Sequence, residues 1–136
     1  MAIDNILALD VGSVRVGVAY AGDGLRMARR VTTLDVRESF WRELQSIIDE
    51  YQAGLLVIGM PRGLDGQETD QSRFVQRFAE ECKEKFGLPI HFQDEALTSV
   101  RAKEILGNQK HQVDKKEVDA IAASLILSDY LEEHKQ

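Results

Sequence analysis

The first quarter of the chain alternates short apolar runs with turn residues, which predicts β-strands. The runs Ile6–Asp10 and Val16–Tyr20 are joined by a tight turn at Gly12, and the turn signal Ala21–Gly24 follows them. Arg29–Leu34 contains β-branched residues, which predict a third strand. Three strands joined by short turns predict an antiparallel meander at the start of the fold.

From residue 35 onward the apolar positions change to a helical period. They predict a helix over Asp35–Gln52, which begins at an acidic cap, and a second helix over Thr69–Phe86. Between the helices, Gly54–Gly59 is a continuous apolar run, typical of a strand buried on both faces in parallel pairing. Leu88–Gln93 is predicted as the last strand.

The remainder of the chain is predicted to be helical, with one polar loop. A short helix over Thr98–Leu106 leads into the loop Gly107–Val113, and the final helix runs from Asp114 to about Glu132. The order β-β-β-α-β-α-β-α-α predicts an α/β fold. Its mixed five-stranded sheet combines the antiparallel meander with two parallel strands and carries helices on both faces. Since no repeat or linker interrupts the pattern, we expect one domain over residues 1–136.

Composition narrows the class of protein. The 136 residues are 43% hydrophobic and 29% charged, as in ordinary globular domains. There is no apolar run of roughly 18 residues and no basic-apolar leader, so we expect no signal peptide, no membrane contact and a cytoplasmic location. The single cysteine, Cys82, fits a reducing compartment and a buried structural position.

The charge balance argues only weakly against a nucleic-acid partner. The net charge is −6, from 17 basic and 23 acidic residues, whereas a nucleic-acid binder usually has a basic surface. However, arginines are concentrated in residues 1–34 and basic residues again in residues 101–117. The acidic excess therefore lies in residues 35–100 and in the C-terminal tail.

Carboxylates stand at the ends of the first and last predicted strands and near the start of the final helix. Asp10 ends the first strand, Asp94 and Glu95 end the last one, and Asp119 lies near the start of the final helix. In α/β sheets, sites collect where the C-terminal ends of the strands meet. The small pair Ala122–Ala123 would let the final helix lie close to the sheet, which would bring Asp119 to the same edge.

Carboxylates that converge in this way repel each other unless a cation lies between them. A ligand set made only of hard oxygen atoms favours Mg²⁺ or Mn²⁺, and such ions support phosphodiester cleavage. The alternative is that these acids cap turns and suit helix dipoles. Strand alternation allows only one of Asp94 and Glu95 to face such a site.

Four motifs in order carry a resemblance to a known family. They are D-V-G-S-V-R-V-G-V-A at Asp10–Ala19, a Gly-x-Pro loop at Gly59–Gly66, a segment that begins D-E at Asp94–Ser99 and K-K-E-V-D-A-I-A-A-S-L-I-L at Lys115–Leu127. The chain resembles the YqgF family, small bacterial proteins described as pre-16S rRNA nucleases and as Holliday-junction-resolvase-like. The resemblance implies an RNase H-like fold. One position departs from the family pattern, because Ala96 stands where the family has arginine.

The resemblance implies a nuclease site built from three acids. Asp10, Glu95 and Asp119 would be catalytic and would bind Mg²⁺ or Mn²⁺, with Asp94 as the reserve ligand. Nucleic-acid contacts are expected from basic residues near the same edge, although the two lysines fit an ordinary surface position equally well. These basic residues are Arg15, Arg62, Arg101, Lys115 and Lys116.

We therefore predict a metal-dependent nuclease that cleaves structured RNA, as in 5′-end maturation of pre-16S rRNA during ribosome biogenesis. It would act as a monomer on pre-rRNA, alone or within ribosomal particles. The first alternative is a Holliday junction resolvase acting on DNA, which needs a two-fold dimer to cut two strands. The second is a non-catalytic factor in pre-ribosome assembly, which the acidic net charge and Ala96 favour.

Overall fold

The computed structural model describes residues 5–22, 24, 27–61, 68–95, 104–105 and 114–134. The strands and helices in these ranges are β1 (Ile6–Val11), β2 (Arg15–Ala21), β3 (Arg29–Asp35), α1 (Phe40–Tyr51), β4 (Leu55–Pro61), α2 (Asp70–Phe86), β5 (Ile90–Glu95) and α3 (Lys115–Glu133). Apart from residues 104–105, the predicted helix Thr98–Leu106 lies outside the described residues, as does the predicted loop Gly107–Val113.

The strands form one mixed sheet in the order β3-β2-β1-β4-β5. β1, β2 and β3 pair antiparallel, whereas β4 runs parallel to both β1 and β5. The predicted meander and the two parallel strands are therefore confirmed. β1 occupies the centre of the sheet because its residues Leu7, Ala8 and Leu9 are apolar on both faces, and all three are fully buried.

Helices cover both faces of the sheet, as predicted. Leu7 and Leu9 pack on the side of α1 and α2, against Phe40 and Phe78 among others. Ile6 and Ala8 pack on the opposite side, in a cluster with Ala123, Ile126 and Leu127 of α3. Alternate residues of β1 thus contact opposite helical layers, as the two-residue period of a strand requires.

The start of α1 corrects one expectation. Asp35 does not cap a helix, because it ends β3 in register with Arg15 of β2. The next residue continues this pairing, since the backbone N–H of Val36 donates to the carbonyl of Val14 at 2.8 Å. The helix begins only at Phe40. A strand pairing with a distant segment has thus overridden the local helix-start signal.

The other boundaries differ less from the prediction. β5 starts at Ile90 rather than Leu88 and extends to Glu95, while α2 begins where expected. The hydroxyl of Thr69 accepts the backbone N–H of Ser72 at 3.0 Å, and the Ser72 hydroxyl accepts the Thr69 N–H at 2.8 Å. This reciprocal cap satisfies backbone donors that a helix start leaves unpaired.

Cys82 has the structural role expected of it. Its side chain is fully buried on α2 within the core that faces α1. Burial raises the pKa of the Cys82 thiol to about 12, so the thiol remains protonated at neutral pH. Within the described ranges, no helix has both the length and the apolar character needed to cross a membrane.

A glycine in β2 sets the distance between the sheet and α3. A Cβ atom at Gly17 would lie 2.0 Å from the backbone oxygen of Asp119 and 2.4 Å from its carbonyl carbon. These are backbone atoms, which cannot rotate away as a side chain can. The N-terminal half of α3 can therefore approach β2 only because position 17 has no side chain.

We predict that Gly17→Ala lowers the free energy of unfolding by about 1–3 kcal/mol, because α3 must move off the sheet to make room for the methyl group. Urea denaturation of the purified variant measures the loss. Ser13→Ala, in an exposed position of the β1–β2 turn, is the control and should match the wild type. Equal denaturation midpoints for Gly17→Ala and the wild type would contradict the close contact.

Candidate active site

Parallel pairing brings the carboxylates of β1 and β5 to one edge of the sheet. Asp10 is the penultimate residue of β1, and Glu95 is the last residue of β5, two strands away. Asp10 lies two residues after Ala8, so it faces the layer of α3. Glu95 is two residues after Gln93, which hydrogen-bonds Glu133 of α3, so Glu95 faces the same layer.

A glycine between these two strands lets their side chains meet. Gly59 lies on the intervening strand β4, and a Cβ atom there would be 3.3 Å from Oε2 of Glu95 and 2.5 Å from Cδ1 of Ile126. The Glu95 carboxylate therefore lies over the backbone of β4, on the way to Asp10. A larger residue at position 59 would occupy the space that this carboxylate and α3 use.

The carboxyl groups of Asp10 and Glu95 are hydrogen-bonded to each other. The pKa of Asp10 is raised from 3.8 to about 8, first by burial and then by the charge of Glu95, the hydrogen bond to Glu95 and the charge of Asp119. Two acidic groups in contact cannot both be ionised without a large repulsion. At neutral pH the pair therefore holds a proton, which removes one of its two negative charges.

Asp119 completes the acidic group from α3, but it has a partner of its own. Nε of Arg15 donates to Oδ2 of Asp119 at 2.7 Å, and the two side chains are only 28% and 24% exposed. Arg15 is the first residue of β2, so the close contact between α3 and Gly17 also brings these two side chains together. The predicted nucleic-acid residue Arg15 is thus an ion-pair partner of the predicted metal ligand Asp119.

The donor chemistry of this site fits a hard divalent cation, since every acidic side chain in it offers carboxylate oxygen and none offers sulfur or imidazole. The geometry is split into two pairs, Asp10 with Glu95 and Asp119 with Arg15. As they stand, the described residues contain no group of three His, Cys, Asp or Glu side chains placed to hold a metal ion.

The reserve ligand Asp94 lies apart from the pair. It is exposed, and alternation along β5 directs it to the face opposite Glu95. Between the two adjacent acids, the structure therefore brings Glu95 and not Asp94 next to Asp10.

Only some of the predicted basic residues lie within the described part of the chain. Lys115 is exposed at the start of α3, and Nζ of Lys116 lies 3.2 Å from Oδ2 of Asp35 at the end of β3. The hydroxyl of Thr33 also donates to the backbone oxygen of Lys116 at 2.6 Å, which ties the start of α3 to β3. Arg62 and Arg101 lie outside the described residues, and so does Ala96.

Sequence reasoning missed three features of the site. These are the ion pair between Arg15 and Asp119 and the close approaches at Gly17 and Gly59. The two glycines had a signal in the sequence, because each interrupts an otherwise apolar strand. The ion pair joins residues 104 positions apart, and no local pattern reveals such a contact.

Comparisons of sequence place the chain among known proteins. A family model described as "RuvX: Holliday junction resolvase" matches residues 4–133. A relative from Thermoanaerobacter pseudethanolicus is 36% identical over 136 residues, which covers 96% of this chain and 98% of the relative. One from Lactobacillus gasseri is also 36% identical over 136 residues, covering 94% and 95%. Both relatives carry the name "Putative pre-16S rRNA nuclease", which confirms the resemblance drawn from the motifs.

Solved structures share the fold at much lower identity. A fowlpox virus resolvase in complex with its substrate Holliday junction DNA aligns with a TM-score of 0.62 at 11% identity, over 97% of this chain and 99% of that one. Thermus thermophilus RuvC in complex with a Holliday junction substrate aligns with a TM-score of 0.57 at 11% identity, over 96% of both chains. These likenesses confirm the RNase H-like fold.

The raised pKa of Asp10 makes stability depend on pH. Because the folded protein holds this proton up to about pH 8 and the unfolded chain loses it near pH 4, the free energy of unfolding should fall as pH rises between these values. The expected slope is up to about 1.4 kcal/mol per pH unit. Asp10→Asn has no proton to lose there, so it should become progressively more stable than the wild type from pH 5.5 to 8.

Urea denaturation in EDTA at several pH values measures this difference. Asp94→Asn removes an exposed carboxylate from β5, on the face opposite Glu95, and serves as the control, with a pH dependence like that of the wild type. If the curves for Asp10→Asn and the wild type run parallel across this range, Asp10 does not carry the buried proton.

Proposed function

The chain belongs to the RuvX family, and from that membership and the acidic site we propose that it is a metal-dependent nuclease that cleaves structured RNA. The observation that carries the proposal is the hydrogen-bonded carboxyl pair of Asp10 and Glu95 at the C-terminal edge of the sheet, with Asp119 beside it. We take the whole chain, residues 1–136, as one nuclease domain.

The proposed substrate is pre-16S rRNA, within 5′-end processing in ribosome biogenesis. The support is the shared name of relatives that align with nearly the full length of this chain. Such a reaction belongs in the cytoplasm, where ribosomes are assembled, with pre-rRNA or an early ribosomal particle as the partner. A single site on a monomer is sufficient to cut one strand of a folded RNA.

Asp10, Glu95 and Asp119 are the proposed ligands of one or more Mg²⁺ or Mn²⁺ ions. The negative charge that holds a proton on the Asp10–Glu95 pair is the same charge that would attract a divalent cation. When bound, such a cation supplies charge that activates the attacking water and stabilises the leaving oxygen of the phosphodiester. Loss of any one of the three acids should therefore remove most of the activity.

The nucleic-acid contacts are proposed to come from basic residues around the acidic edge. Arg15 and the exposed Lys115 lie at the start of β2 and of α3, which both border this edge. Lys116 lies beside them, and Arg62 and Arg101 are retained from the sequence. With a net charge of −6, binding depends on these few local charges and should weaken with added salt.

A Holliday junction resolvase is the second candidate, because the family description names that activity. This reaction requires two active sites related by a two-fold axis, since strands of opposite sense are cut. The large apolar side chains that are exposed in the described ranges lie on several separate elements and do not mark an obvious dimer surface. They are Val14, Met27, Val36, Phe92 and Ile105.

We predict that the purified protein cleaves a labelled RNA spanning the 5′ end of pre-16S rRNA in Mg²⁺ or Mn²⁺, and that EDTA stops the reaction. Asp10→Asn, Glu95→Gln and Asp119→Asn should each reduce the rate at least about 100-fold, because several kcal/mol of charge stabilisation are lost. Asp94→Asn is the matched control, since it makes the same change at a residue that faces away from Asp10.

The same assay with a four-way DNA junction distinguishes the two candidates, and sedimentation gives the oligomeric state. A stable dimer that cuts the junction symmetrically and leaves RNA intact would replace the proposed function by the second candidate. Full activity in Asp10→Asn would contradict both candidates, since both depend on the acidic site.

We also predict that Mn²⁺ stabilises the folded wild type, by about 2.7 kcal/mol when the ion is at a hundredfold excess over its Kd. Asp10→Asn combined with Asp119→Asn should lose this effect, because two of the three ligands are gone. Thermal melts with and without Mn²⁺ measure the shift. An equal shift in the wild type and the double variant would place the bound metal elsewhere.

A further inference from the structure

Arg15 contacts Asp119 with the geometry of a strong ion pair. Its Nε atom lies 2.7 Å from Oδ2 of Asp119, and about three quarters of each side chain is shielded from solvent. A guanidinium cannot lose its proton in a protein, so its positive charge is permanent. Arg15 is therefore the counter-ion of the Asp119 carboxylate in the structure.

The position of Asp119 does not depend on Arg15 alone. The backbone of Asp119 lies directly against Gly17, and the start of α3 is tied to β3 through Thr33 and the backbone oxygen of Lys116. If Arg15 moved away, the backbone at Asp119 would therefore keep its place, and its carboxylate would stay near enough for its charge to act on Asp10. It would then be free to bind a different cation.

Arg15 has the longer side chain of the two partners, with more rotatable bonds than Asp119. It is the first residue of β2, next to the exposed turn residue Val14, and 28% of its long side chain already contacts solvent. A guanidinium released at this edge can donate two parallel hydrogen bonds to a phosphate, which a compact ammonium cannot do.

On the basis of the proposed function, we propose that Arg15 is a positioning residue that exchanges partners when the site takes up a divalent cation. In the metal-free protein Arg15 is the counter-ion of Asp119. When the cation is bound by Asp10, Glu95 and Asp119, Arg15 is released and its guanidinium contacts a phosphate of the nucleic acid. This explains why the described acids form two pairs rather than one group of three.

The exchange has a thermodynamic consequence. Because the cation must displace Arg15 from Asp119, the wild type binds metal less tightly than a protein in which this arginine is absent. Conversely, the cation frees Arg15 for phosphate, so metal and nucleic acid strengthen each other's binding by the same factor. A residue that merely supports the fold would produce neither effect.

The test is isothermal titration of Mn²⁺ into metal-free protein, without nucleic acid. Arg15→Gln should bind Mn²⁺ at least about fivefold more tightly than the wild type, the lower end of ordinary coupling between sites. Arg15→Lys keeps the charge and should remain closer to the wild type. Arg30→Gln is the control for net charge, since Arg30 is exposed near the start of β3, at the opposite end of that strand from Asp35.

A second measurement separates exchange from a structural role. Cleavage of the pre-16S RNA fragment by Arg15→Gln should show a raised KM, although the variant binds metal more tightly. Mn²⁺ affinity equal to or weaker than that of the wild type would overturn the exchange while leaving the proposed function intact. If neither the wild type nor Arg15→Gln binds Mn²⁺, both the exchange and the proposed metal site are wrong. Binding by the variant alone would support the exchange.

Discussion

The half-buried carboxyl group of Asp10 is the constraint on which the rest of the site depends. It lies at the end of the central strand, in a part of the sheet where Leu7, Ala8 and Leu9 are fully buried. An ionised carboxylate in such surroundings costs several kcal/mol unless a proton or a cation compensates it. Glu95 shares a hydrogen bond with the Asp10 carboxyl group. Asp119 adds a further negative charge nearby, and Arg15 pairs with Asp119.

Two missing side chains make the convergence possible. Without a Cβ atom at Gly17, α3 can lie against β2, and without one at Gly59, the Glu95 carboxylate can lie over β4. Both glycines are on the face of the sheet that α3 covers, so one helical layer and two strand positions define the site together. Close packing here is thus a requirement of the chemistry as well as of stability.

The local charges at the edge of the sheet matter more for this protein than its net charge. The chain is acidic overall, yet a nuclease must meet a polyanion at the edge where its own carboxylates converge. An arginine that neutralises a site acid and then contacts phosphate would serve both needs with one side chain. The same position would also make the affinity for metal and the affinity for nucleic acid interdependent.

The sequence by itself determined the order of the strands and of the three described helices, the mixed sheet and the edge at which Asp10 and Glu95 meet, because two-residue and helical periods are local patterns and parallel strands end together. It could not determine where α1 begins, since pairing between Arg15 and Asp35 overrode the local cap signal. Nor could it show which acid pairs with which group. That was decided only by the tertiary structure, because the pairing of Arg15 with Asp119 depends on how closely α3 approaches β2 at Gly17, a contact between residues about a hundred positions apart.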